Sequence, residues 1–100
     1  MRYSKVVMIM NITDYELISN DINKLNAPGV TVSRAQGYGD YVNEFNQYGL
    51  SDGLKIEIYT RAEQADEIAN VLSELAANMT EGGGVVAIEP VSRLMNVKKL

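Results

Sequence analysis

The chain has 100 residues, a net charge of −4, and neither cysteine nor histidine. That length suits one domain spanning 1–100, and the missing residue types exclude a disulfide framework, thiolate chemistry, the commonest general base and the commonest transition-metal ligand. Basic residues are scattered except for Lys98-Lys99, which leaves no electrostatic footprint for a nucleic acid.

The apolar run Val6-Val7-Met8-Ile9-Met10 reads as a buried first strand. It is too short for a signal-peptide core with its cleavage site, and no run reaches membrane-spanning length. A cytoplasmic protein with no direct membrane insertion is expected. Thr13 and Glu16 then have the spacing of a capping box, so a helix is expected to start there. Its apolar face is Ile18, Ile22 and Leu25, with Leu17 beside them, and Asn26-Ala27-Pro28-Gly29 stops it. Val30 to Ala35 alternates as a half-buried second strand does.

A long connection follows. Residues 37–53 hold Tyr38, Tyr41, Phe45 and Tyr48, four of the seven aromatics, without one Lys or Arg. An ordinary hairpin needs about two to five loop residues. Two readings are open: aromatics packed on the protein's own surface, or an arm presenting Tyr41, Phe45 and Tyr48 to a partner.

The second half repeats the grammar of the first. Leu54, Ile56 and Ile58 alternate with Lys55, Glu57 and Tyr59, and Thr60 with Glu63 again has capping-box spacing. The helix stripe is Ala65, Ile68, Leu72 and Leu75 with Ala69 and Ala76 alongside, and Val85 to Val91 forms the fourth strand. Two strand–helix–strand units in tandem predict an α+β fold, the ferredoxin-like βαββαβ arrangement: a four-stranded antiparallel sheet with two helices on one face. The other face is expected to carry Lys55, Glu57, Tyr59, Thr31 and Ser33 or their neighbours. Between helix and strand, Gly82-Gly83-Gly84 is either a helix stop and turn or a set of exposed N–H groups that cradles a small anion.

Three segments taken in order resemble the PII signal-transduction proteins and their PII-like relatives over nearly the whole chain. They are Gly29-Val30-Thr31-Val32-Ser33-Arg34-Ala35-Gln36-Gly37-Tyr38-Gly39, Lys55-Ile56-Glu57-Ile58, and Gly82-Gly83-Gly84 followed by Pro90-Val91-Ser92-Arg93. The resemblance implies a homotrimer that binds an adenine nucleotide in clefts between subunits. It further implies a T-loop, about 40–53 here, that changes shape with the nucleotide to regulate a membrane transporter or metabolic enzyme. Thr31, Gly37, Tyr38 and Gly39 would line one side of the cleft, and Glu57 would face the nucleotide from the adjoining strand. The B-loop, about 80–84, would offer the N–H groups of Gly82, Gly83 and Gly84 to the phosphates. For Glu57 and Thr31 a plain role as outward strand residues stays open.

Departures from the pattern sharpen the expectation. Val85 stands where the family has a lysine, and Asp40-Tyr41 replaces an Arg-Gln pair. In the final segment Asn96 and Lys98 stand where arginines reach a neighbour's phosphates, leaving that role to Lys98 alone or to Lys98 with Lys99, and lysine lacks the bidentate geometry of arginine. Gly53 replaces the lysine that binds 2-oxoglutarate, and Tyr41 the metal-chelating glutamine, so coupled sensing of ATP and 2-oxoglutarate is not expected. ADP or ATP, and also AMP, are the effectors to test, with the need for Mg²⁺ open. No residue set supplies a base, nucleophile and metal, so no enzyme is expected. A ferredoxin-like or CutA-like trimeric regulatory domain binding a different small ligand is the alternative.

Overall fold

A computed structural model describes residues 2–10, 15–25, 27–37, 51–79 and 84–97. Four strands, β1 (Tyr3–Met10), β2 (Thr31–Gly37), β3 (Ser51–Arg61) and β4 (Gly84–Val91), form one sheet in the order β2-β3-β1-β4. All neighbours are antiparallel. With helix α1 (Ser19–Asn23) between β1 and β2 and α2 (Ala65–Met79) between β3 and β4, this is the expected βαββαβ arrangement.

The period-2 pattern of the strands decides which face is covered. Ser4, Val6, Met8 and Met10 of β1 and Leu54, Ile56, Ile58 and Thr60 of β3 are buried. They meet the apolar stripe of α2, in which Ala65, Ile68, Ala69, Leu72, Leu75 and Ala76 are all buried at helical spacing, together with Ile18 and Ile22 from the α1 region. Burial of this stripe is the main force holding α2 on the sheet, since propensity alone sustains a helix of this length only marginally.

Both helical regions begin with a 3-10 turn. Thr13 lies outside the described residues, and the first helical region is a 3-10 turn, Tyr15–Leu17, followed by only five residues of α-helix. At the second site β3 runs on to Arg61, which keeps Thr60 inside the sheet. Its hydroxyl therefore donates to Gln64 Oε1 at 3.3 Å instead of capping with Glu63. The helix is entered through a 3-10 turn at Ala62–Gln64, and the Ala62 N–H is taken by the Arg2 carbonyl at 3.0 Å. Loop bounds also shift: Ser51, Asp52 and Gly53, placed in the long loop by sequence, are ladder residues of β3 opposite Gly37, Gln36 and Ala35. Gln36 Nε2 donating to Asp52 Oδ1 at 2.9 Å strengthens that end of the hairpin.

Candidate functional site

The odd positions of β1 and β3 point away from the helices and build an open sheet face. Thr31 and Ser33 of β2 lie opposite Glu57 and Lys55 of β3 on that face, as the alternation predicts. Beside them, Lys5 of β1 reaches across three strands. Its Nζ is 3.3 Å from Glu57 Oε2 and 3.5 Å from Glu89 Oε2 on β4, and Lys55 Nζ is 4.0 Å from Glu57 Oε1. The hydrogen bond to Glu57, with the charges of both carboxylates, holds Lys5 above the usual lysine range against a smaller opposing effect of burial. Two lysines and two glutamates thus neutralise one another on a surface that also holds Val7, Ile9, Tyr59, Val85 and Ala87.

Thr31 opens β2 and is exposed, directly across from the half-buried Glu57. Gly37 closes β2 opposite Ser51. Gly84 opens β4 opposite Met10, where a Cβ would run into the Ile9 carbonyl oxygen and sit 3.1 Å from Met10 Cα. Glycine is needed there because the two backbones approach each other, a physical reason separate from any ligand. Tyr38, Gly39, Tyr41, Phe45, Tyr48, Gly82, Gly83 and Lys98 lie outside the described residues.

Strand order separates the two groups that one ligand would have to touch. The row Thr31, Glu57, Val7, Ala87 crosses the sheet, and Gly84 lies three residues along from Ala87. Thr31 and Gly84 are therefore three strand spacings apart, about 14 Å across and about 10 Å along the strands, at opposite edges of the same sheet. Within one chain they do not converge. Sequence alone singles out neither Lys5 nor Glu89: the apolar run starting at Val6 hides the strand's start at Tyr3, and only strand order sets Glu89 opposite Lys5. The available signal was the alternation of Tyr3 and Lys5 with Ser4.

Beyond β4 the chain leaves the sheet as an irregular segment in which Leu94 is exposed, Met95 is 64% exposed and Val97 is 99% exposed. Among the described residues no group of three acidic side chains is placed to hold a metal ion, and no helix is long and apolar enough to cross a membrane.

The family model described as nitrogen regulatory protein P-II matches residues 3–99. A nitrogen regulatory protein P-II homolog of Arabidopsis thaliana is 26% identical over 105 residues, covering 97% of this chain and 54% of that protein. The chain thus spans about half the length of that curated relative. Among solved structures, Arabidopsis thaliana PII bound to citrate superposes with a TM-score of 0.73 at 26% identity, covering 96% of this chain and 83% of that one. The B. subtilis GlnK–ATP complex gives a TM-score of 0.74 at 19% identity, covering 96% and 89%, a likeness of fold.

Proposed function

Since the chain belongs to the P-II nitrogen regulatory protein family, we propose that it is a non-catalytic signalling protein that binds an adenine nucleotide between subunits of a homotrimer. In this reading Thr31 and Glu57 of one copy and the glycines up to Gly84 of the next face the same ligand. Gly37, Tyr38 and Gly39 complete the wall, and Lys98 adds positive charge. The observation that carries the proposal is the separation of Thr31 and Gly84 at opposite edges of one sheet. Residues that share a ligand but cannot meet within a chain need a second copy to bring them together.

The open face supports assembly on independent grounds. Burying an unpaired charge is costly, whereas charges already paired and hydrogen-bonded can be buried with less penalty. Lys5 is paired with Glu57 and Glu89 before any partner arrives. Val97, almost wholly exposed in a single chain, and Met95, 64% exposed, are apolar surface that a neighbouring copy would cover.

The loop after β2 is proposed to act on a transporter or enzyme, with Tyr41, Phe45 and Tyr48 as its anchors. Aromatic anchors suit this role because they bury large area at small entropic cost. Light scattering together with calorimetric titration of ADP, ATP and AMP tests the reading, with and without Mg²⁺. A trimer mass and binding of at least one nucleotide are expected. A monomer mass, or a trimer indifferent to all three nucleotides, overturns it, and a citrate titration then asks whether a small polycarboxylate is the ligand, as in the citrate-bound Arabidopsis thaliana PII.

A further inference from the structure

On the covered side of the sheet, a groove of about 550 Å³ runs between the α1 region and α2. Gln64, which closes the 3-10 turn before α2, and Asn78 near the helix's last residue mark its ends. Fourteen residues of helical rise make it about 21 Å long, the length of about four turns of a helix laid along it. Its apolar lining is Ile68, Leu75 and Leu25, together with Val71, which is 41% exposed. Ile68 and Leu75 are buried at its floor, so the apolar side chains it offers to a second helix are Val71 on α2 and the partly buried Leu25 across from it.

The rim is acidic. Glu67 and Glu74 stand seven residues apart on α2 and Asp21 faces them from α1, against Lys24 alone on the other side of the balance. None of the four is ion-paired with another described residue, and all are exposed. We infer that this groove is a docking site for an amphipathic α-helix of a protein partner, whose apolar stripe is flanked by lysine or arginine. The chain's own long connection is a poor occupant, because residues 38–50 carry Asp40 and Glu44 and no Lys or Arg. An anionic membrane is repelled by the same rim. The site is independent of the nucleotide cleft, which lies at the strand edges and open face.

The test uses the full-length protein and an 18-residue synthetic peptide of leucine and lysine with leucines at helical spacing. Its counterpart has glutamate in place of every lysine. The Leu/Lys peptide is expected to bind with amide shift changes confined to residues 21–25 and 64–78. Glu67→Lys with Glu74→Lys should weaken it at least tenfold, and Val71→Asn, which changes no charge, should weaken it about threefold or more, both with nucleotide affinity unchanged. The inference is overturned by no binding, by equal binding of the Leu/Glu peptide, by shift changes on the sheet face, or by indifference to both variants. Binding to anionic vesicles in preference to the peptide overturns it as well.

Discussion

Lys5 and Glu57 sit diagonally across β1 and β3, Nζ 3.3 Å from Oε2, while Glu89 stands directly opposite Lys5 on the other flank. One ammonium therefore holds two carboxylates that would otherwise repel each other on the same face. Because these partners raise the lysine's proton affinity in the folded state, their contribution is fully present below its ordinary value of 10.5 and is lost as pH rises through the higher folded value. Lys5→Met should lower the melting temperature by an amount that is constant from neutral pH to about 10 and shrinks above it. Parallel melting curves of wild type and variant against pH check this, and a difference that grows in alkali would show the sign to be wrong.

Gly84 and Gly29 give opposite expectations for one substitution. At Gly84 the new methyl meets the Ile9 carbonyl, backbone that no rotamer change can move aside, whereas at Gly29 nothing lies within 4 Å. Gly84→Ala should cost about 1–3 kcal/mol by overpacking. Gly29→Ala should be neutral, or stabilising by up to about 1 kcal/mol through a less flexible unfolded chain. Urea midpoints of the two variants decide it, and equal midpoints would mean that β4 shifts freely at its first residue.

Leu72 is the fully buried centre of the α2 stripe. Leu72→Ala removes its contacts and leaves a cavity, at about 2–5 kcal/mol, a large part of the roughly 5–15 kcal/mol that a domain commands. Chemical denaturation should show that loss. A change under about 1 kcal/mol would mean that the core collapses around the gap, and that α2 is held by something other than this stripe.

Leu72 and Lys5 also show what was legible in the sequence. A stripe such as Ile68, Leu72, Leu75 is fixed by the geometry of a single helix, so residue spacing reveals it before any tertiary contact is known. The same holds for Leu54, Ile56 and Ile58 on β3. Thr60 was misread because its partner depends on where β3 ends, and a strand continuing to Arg61 turns the hydroxyl inward to Gln64. The Lys5, Glu57 and Glu89 network brings together residues more than 80 positions apart, and only strand order and register create it. The separation of Thr31 from Gly84 is likewise a fact of strand order. Motifs named both residues, but no motif says whether two residues meet in one chain or across two.

The last prediction concerns which nucleotide is preferred in the proposed cleft. Val85 follows Gly84 at the start of β4, opposite Ile9 on the open face, and is partly exposed. A lysine there would keep its stem on the sheet and carry its ammonium into solvent beside the glycine run. Without it, the chain has one fewer cation to match the extra charge of a γ-phosphate, so ADP or AMP should bind as well as ATP or better. A charge-assisted hydrogen bond contributes roughly 1.5–3 kcal/mol, so one restored contact should shift the ATP-to-ADP ratio about tenfold or more. Val85→Lys is therefore expected to tighten ATP selectively and leave ADP nearly unchanged in calorimetric titration, with the melting temperature preserved because position 85 is not in the core. Strong wild-type preference for ATP, or equal tightening of both nucleotides by Val85→Lys, would mean that the terminal phosphate is held by other groups, and Arg34 or Lys99 would then be the first positions to substitute.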